Sequence, residues 1–162
     1  MIKIKMTSKK IIEFIFNLII VVFFAYPFLL ILYTQFLGID LQKLISMDPY
    51  WNIMFIQSFI TPFIGFYILQ LKERLANDRK VETIILQLLV LAIGFLIMGN
   101  ATFSITIFIL IFYLFYYWKI KIKDFQYIFK KENFSFKDYL VPLTILSIAV
   151  IIRIMLNLVS NT

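Results

Sequence analysis

Neither cysteine nor histidine occurs among the 162 residues. The first absence excludes disulfides and thiolate nucleophiles, and the two together exclude imidazole bases and the common zinc ligand sets. Glycine appears only four times, and no phosphate-cradling P-loop, G-x-S-x-G elbow or H-E-x-x-H helix is present. Charge is scarce too: 15% of the residues are charged, against about 25% in an ordinary soluble domain. No pair of acidic residues stands inside an apolar run, so general acid/base chemistry has little to work with. A non-enzymatic protein without cofactor or metal is expected.

What fills the chain instead is hydrocarbon. Sixty-two per cent of the residues are hydrophobic, including 19 phenylalanines, and apolar stretches long enough to cross a bilayer recur from beginning to end. The expected fold is an all-α integral membrane protein, one membrane domain over 1–162. Heavy use of Ile, Phe, Lys and Asn fits an A/T-rich coding sequence, and a bacterial cytoplasmic membrane is the expected location. The lysine-rich N-terminus resembles a secretion signal, but the apolar stretch after it, Ile11 to Leu37, exceeds the 7–15 residues of a signal core. It reads as a retained first span.

Four further spans follow at about 50–71, 82–98, 101–118 and 139–159. The third and fourth come from one apolar run, Val81 to Trp118, which as a single helix would be about 57 Å long, nearly twice the roughly 30 Å hydrocarbon core. Cutting it at Gly99-Asn100, two residues with strong turn chemistry, gives two pieces of about 27 Å each. Charge supports the cut. With five spans, fourteen of the sixteen Lys and Arg residues fall on one side: four in the N-terminal tail, four after span 2 and six in Lys119–Lys137. With four spans and one overlong helix the bias vanishes. The positive-inside rule therefore predicts a compact five-helix bundle, N-terminus cytoplasmic and C-terminus outside.

The segment 119–138 mixes lysines with aromatics at helical spacing. It is expected to form an amphipathic helix on the inner leaflet, with Phe125 and Phe129 in the lipid and Lys121, Lys123, Lys130 and Lys131 near anionic head groups. Lipid and orientation account for these lysines, so no nucleic-acid partner is expected.

Two charges fall within spans. Glu13 is expected to pair locally with Lys9 or Lys10. Arg153, near the outer end of span 5, runs against the lysine bias and marks a candidate outer-face contact together with Asp40, Asp48, Asn52 and Asn100. Gln57, Ser58, Thr61 and Gly65 form a row of small or polar side chains on span 2, with Thr144 and Ser147 of span 5 among the counterparts. Such rows serve helix packing or line a polar path. Pro142 is expected in the first turn of span 5, where its missing N–H costs little.

Two functions follow from these features. The first is an interaction protein: an accessory or regulatory subunit of a membrane complex, or an immunity-type protein, with a membrane-protein partner or a second copy of itself. The alternative is a small transporter or channel component with a polar path along span 2. An enzyme acting on lipid through Asp40, Asp48 and Arg153 is a third.

Overall fold

A computed structural model describes the chain apart from residues 1, 39, 41, 44–48, 78–80, 128–135 and 161–162. Asp48, Phe129, Lys130 and Lys131 lie outside the described residues, and side chains are also left undescribed at 2–8, 49, 50, 122, 127, 159 and 160.

The described residues are all-helical. They form α1 (Ile2–Phe36), α2 (Pro49–Ala76), α3 (Val81–Ile97), α4 (Ala101–Trp118), a six-residue 3-10 turn (Ile122–Tyr127) and α5 (Phe136–Ser160). Four helices contain segments long and apolar enough to cross a membrane: Lys9–Phe36, Trp51–Ala76, Ala101–Trp118 and Phe136–Leu158. The remaining one, α3, has 17 residues, the lower end of the usual spanning range. It is also deeply embedded, with Ile84, Ile85, Leu88, Leu91, Ala92 and Phe95 buried in succession.

The long apolar run is broken where its length demanded, and backbone chemistry explains the form of the break. Gly99 adopts φ +81, a left-handed angle that costs glycine nothing. Its N–H donates to Leu96 O, and the N–H of Asn100 donates to Phe95 O at 2.9 Å. Together these bonds satisfy two of the last carbonyls of α3 in a Schellman closure. Asn100 then caps α4, its Oδ1 accepting from Phe103 N, so one residue both closes α3 and opens α4. The two helices fold back on each other, and Ser104 Oγ reaches across to Ala92 O at 2.8 Å.

The helices close into a ring. α1 packs on α2 and α4, α3 on α4 and α5, and α2 meets α5 through a thinner contact. Close approach of α1 and α2 is set at Gly65, where an added Cβ would stand 3.2 Å from Phe23 Cβ. Four rings sit beneath the α3/α4 turn: Phe23 stacks on Phe95 at 5.4 Å, while Phe103 meets Phe23, Tyr26 and Phe95 edge-on. Each such pair adds about 0.5–1.5 kcal/mol beyond the area it buries.

The outer surface is apolar. Phe28, Phe36, Phe63, Phe112 and Leu158 are among many large side chains more than 60% exposed, a surface that water does not tolerate and lipid does. The end of α2, the end of α4, the start of α5 and the Lys9 turn of α1 gather at one end of the bundle, with Lys9, Lys72, Arg74, Lys119 and Lys137; the α3/α4 turn lies at the other.

Three sequence expectations change. α5 begins at Phe136, three residues before the expected start, so Pro142 lies in its second turn. The described part of the segment after α4, residues 119–127, forms a short 3-10 turn capped by Asp124, whose Oδ2 accepts from Lys121 N at 2.7 Å. Phe125, expected in the lipid, is half-buried and packs on Phe115 at 5.6 Å, because the left-handed Lys119 (φ 52) turns the chain back towards the bundle. Lys121 and Lys123 remain exposed.

Candidate functional site

Polar side chains concentrate at the two ends of the bundle. At the turn end, Gln57 is only 4% exposed and spends both halves of its amide on the α3/α4 turn. Its Nε2 donates to Met98 O at 2.9 Å, and its Oε1 accepts from Asn100 Nδ2 at 3.2 Å. Met98 O is one of the terminal carbonyls that α3 cannot satisfy itself. Gln57 thus ties α2 to the turn, about 12 Å along the axis from the first residue of α2 at 1.5 Å per residue.

This depth leaves the turn recessed, since α1 and α2 continue beyond it, joined by Tyr33 stacked on Trp51 at 6.0 Å. In the recess lies a cavity of about 350 Å³ lined by residues that include Tyr26, Met54, Gln57, Asn100 and Thr102. None of its lining residues carries a carboxylate, amine or guanidinium. It offers hydrogen bonds and apolar contact.

At the other end, Pro142 shapes a second polar cluster. Proline has no N–H, so the carbonyl four residues earlier, that of Asp138, loses its helical donor. Tyr67 Oη of α2 and Gln87 Nε2 of α3 donate to it instead, at 3.3 and 2.9 Å. The Asp138 carboxylate pairs with Arg74 at 3.1 Å, both side chains about one-third exposed. Helix α5 is thereby clasped to α2 and α3 at its first turn. Gln87 is 1% exposed, and its Oε1 has no hydrogen-bond partner among the described residues.

The residues singled out in the sequence separate accordingly. Gln57 and Asn100 meet. Asp40 is exposed, and its Oδ1 accepts from Gln42 N; no ion pair joins it to Arg153 among the described residues. Arg153 and Asn52 are exposed. Glu13 pairs with neither Lys9 nor Lys10; with Lys9, Lys72 and Trp118 it lines a cavity of about 180 Å³ at the basic end, and Lys72 Nζ donates to Asn17 Oδ1 at 2.6 Å.

Along α2 the small and polar row is used locally. Ser58 Oγ donates to Phe55 O, and Thr61 Oγ1 donates to Ser58 O at 2.9 Å, the very carbonyl that Pro62 leaves without a donor. Gly65 admits the Phe23 and Phe24 side chains. Thr144 and Ser147 are exposed and bond to Leu140 O and Leu143 O of their own helix. The clasp residues Tyr67, Arg74 and Asp138 went unnoticed as a group, although a proline four places after an aspartate signals a freed carbonyl.

Comparison with protein-family models, with curated proteins and with solved structures yields no match. Function therefore rests on the geometry.

Proposed function

We propose that the chain is a five-span interaction protein of a bacterial cytoplasmic membrane, with its basic end in the cytoplasm and the α3/α4 turn and the end of α5 outside. It acts as an accessory or regulatory subunit of a membrane complex, or as an immunity-type protein that meets a membrane-active peptide. It is not an enzyme. The observation that carries this reading is where its polar groups go. Gln57, Ser58, Thr61 and Ser104 are buried, and each is spent on a carbonyl or amide of the fold itself. What remains for a partner is the apolar lateral surface and the uncharged recess beside Asn100.

Five crossings are favoured by the hairpin of α3 and α4, whose 17 and 18 residues give about 25 and 27 Å of helix. Orientation follows from the positive-inside rule applied to the basic end. Transport along α2 is the weaker reading, because between Gln87 at one end and Gln57 at the other the core is filled by Phe16, Phe23, Leu88, Leu91, Phe95 and Ile107.

The test is affinity purification of the tagged full chain from native membranes after mild detergent extraction. A membrane protein recovered in stoichiometric amount, and lost when Phe112 and Tyr116 are changed to alanine or Ala101 to tryptophan, is the expected result. A chain that runs alone in every detergent, yet moves a solute in proteoliposomes, would replace this function with transport.

A further inference from the structure

Where α2 and α5 close the ring most thinly, a lateral groove of about 700 Å³ opens between them. Phe59 and Phe63 form one wall and Val141, Thr144 and Ile148 the other. The Thr144 hydroxyl is already given to Leu140 O, so the walls are chemically apolar. Only the mouth is charged. Lys137 stands there, exposed, with no hydrogen bond or ion pair among the described residues, whereas its neighbours Arg74 and Asp138 neutralise each other.

We propose that this groove is a binding site for one anionic phospholipid, an acyl chain lying between α2 and α5 and the phosphate at Lys137. Dimensions select the occupant. From Lys137 to Ile148 the groove runs about 16 Å at 1.5 Å per residue, half of the roughly 30 Å hydrocarbon core and so the depth of one leaflet. A spanning helix is about twice as long as the groove, whereas a lipid tail anchored at the interface matches it in length. Charge selects the head group: the Lys137 ammonium, without an ion pair among the described residues, attracts an anionic head group and gains less from a zwitterion, whose own cation offsets its phosphate. The site does not depend on which membrane face Lys137 occupies, so it stands or falls separately from the proposed orientation and function.

The experiment is native mass spectrometry on the full chain, purified in detergent, stripped of lipid and then offered phosphatidylglycerol or phosphatidylcholine. One retained phosphatidylglycerol per chain, in preference to phosphatidylcholine, is expected. Lys137→Gln should reduce that preference about fivefold, as for loss of one interfacial cation, while Lys121→Gln, at the same end but off the groove, leaves it unchanged. Thr144→Phe, which fills the groove, should lower retention of both lipids. Equal retention of the two lipids by the wild type, or an unaltered preference in Lys137→Gln, would overturn the proposal. So would conversion of a lipid-free dimer to monomer by Thr144→Phe, which would assign the groove to a second copy. Lys137 is exposed, so its variant remains informative even if Thr144→Phe fails to fold.

Discussion

Gln57 and Gln87 are both buried amides at helix junctions, yet they carry different loads. Gln57 satisfies a carbonyl and an amide of the turn and leaves nothing of its own unpaired. Gln87 satisfies one carbonyl, which Tyr67 also serves, while its own Oε1 has no partner among the described residues. Removing a partner from a buried polar group costs about 1–3 kcal/mol, and removing an unsatisfied one costs less. Gln57→Leu should therefore lower stability by about 1–3 kcal/mol and Gln87→Leu by clearly less. Equilibrium unfolding of the two variants in the same detergent micelles measures the order, and a larger loss for Gln87→Leu would contradict it. The importance of Gln57 was readable as a polar residue in an apolar span. Its partner was not, because Met98 O and Asn100 are more than forty residues away and reach it only through the tertiary fold.

At the scale of elements, prolines decide where side chains must repair backbone. Pro62 is repaired within one turn by Thr61, and Pro142 from two other helices by Tyr67 and Gln87. Tyr67→Phe combined with Gln87→Leu should orphan the Asp138 carbonyl and destabilise the bundle by about 1–3 kcal/mol. Adding Pro142→Ala restores a backbone N–H and should recover most of that loss, measured by thermal unfolding of the wild type and the two variants. No recovery would mean that the clasp, and not the freed carbonyl, is what matters.

The α3/α4 break was legible because three independent local facts agreed: excess length, Gly99-Asn100 and the lysine bias. Two other elements were not. In 119–138, helical spacing of aromatics looks alike whether the face meets lipid or protein, and Phe125 chose Phe115. In α2, the i, i+4 row suggested contacts between helices, whereas Ser58 and Thr61 bond within their own. Periodicity reports which residues share a face, not what that face touches.

For the molecule as a whole, the recurring theme is economy of polarity. The two buried glutamines sit at helix junctions, the interior between them is mostly aromatic and aliphatic, and the exposed surface is largely hydrocarbon, with most of its lysines at one end. Such an object is held in place by its membrane orientation, and the proposed function depends on that orientation. The absence of native cysteine makes the most direct test simple. Single cysteines at exposed Ala101, Gln126 and Asn157 can be probed in intact cells with a membrane-impermeant maleimide. Five crossings with a cytoplasmic N-terminus predict labelling of Ala101→Cys and Asn157→Cys from outside and of Gln126→Cys only after permeabilisation. Labelling of Gln126→Cys in intact cells, with Asn157→Cys protected, would contradict it.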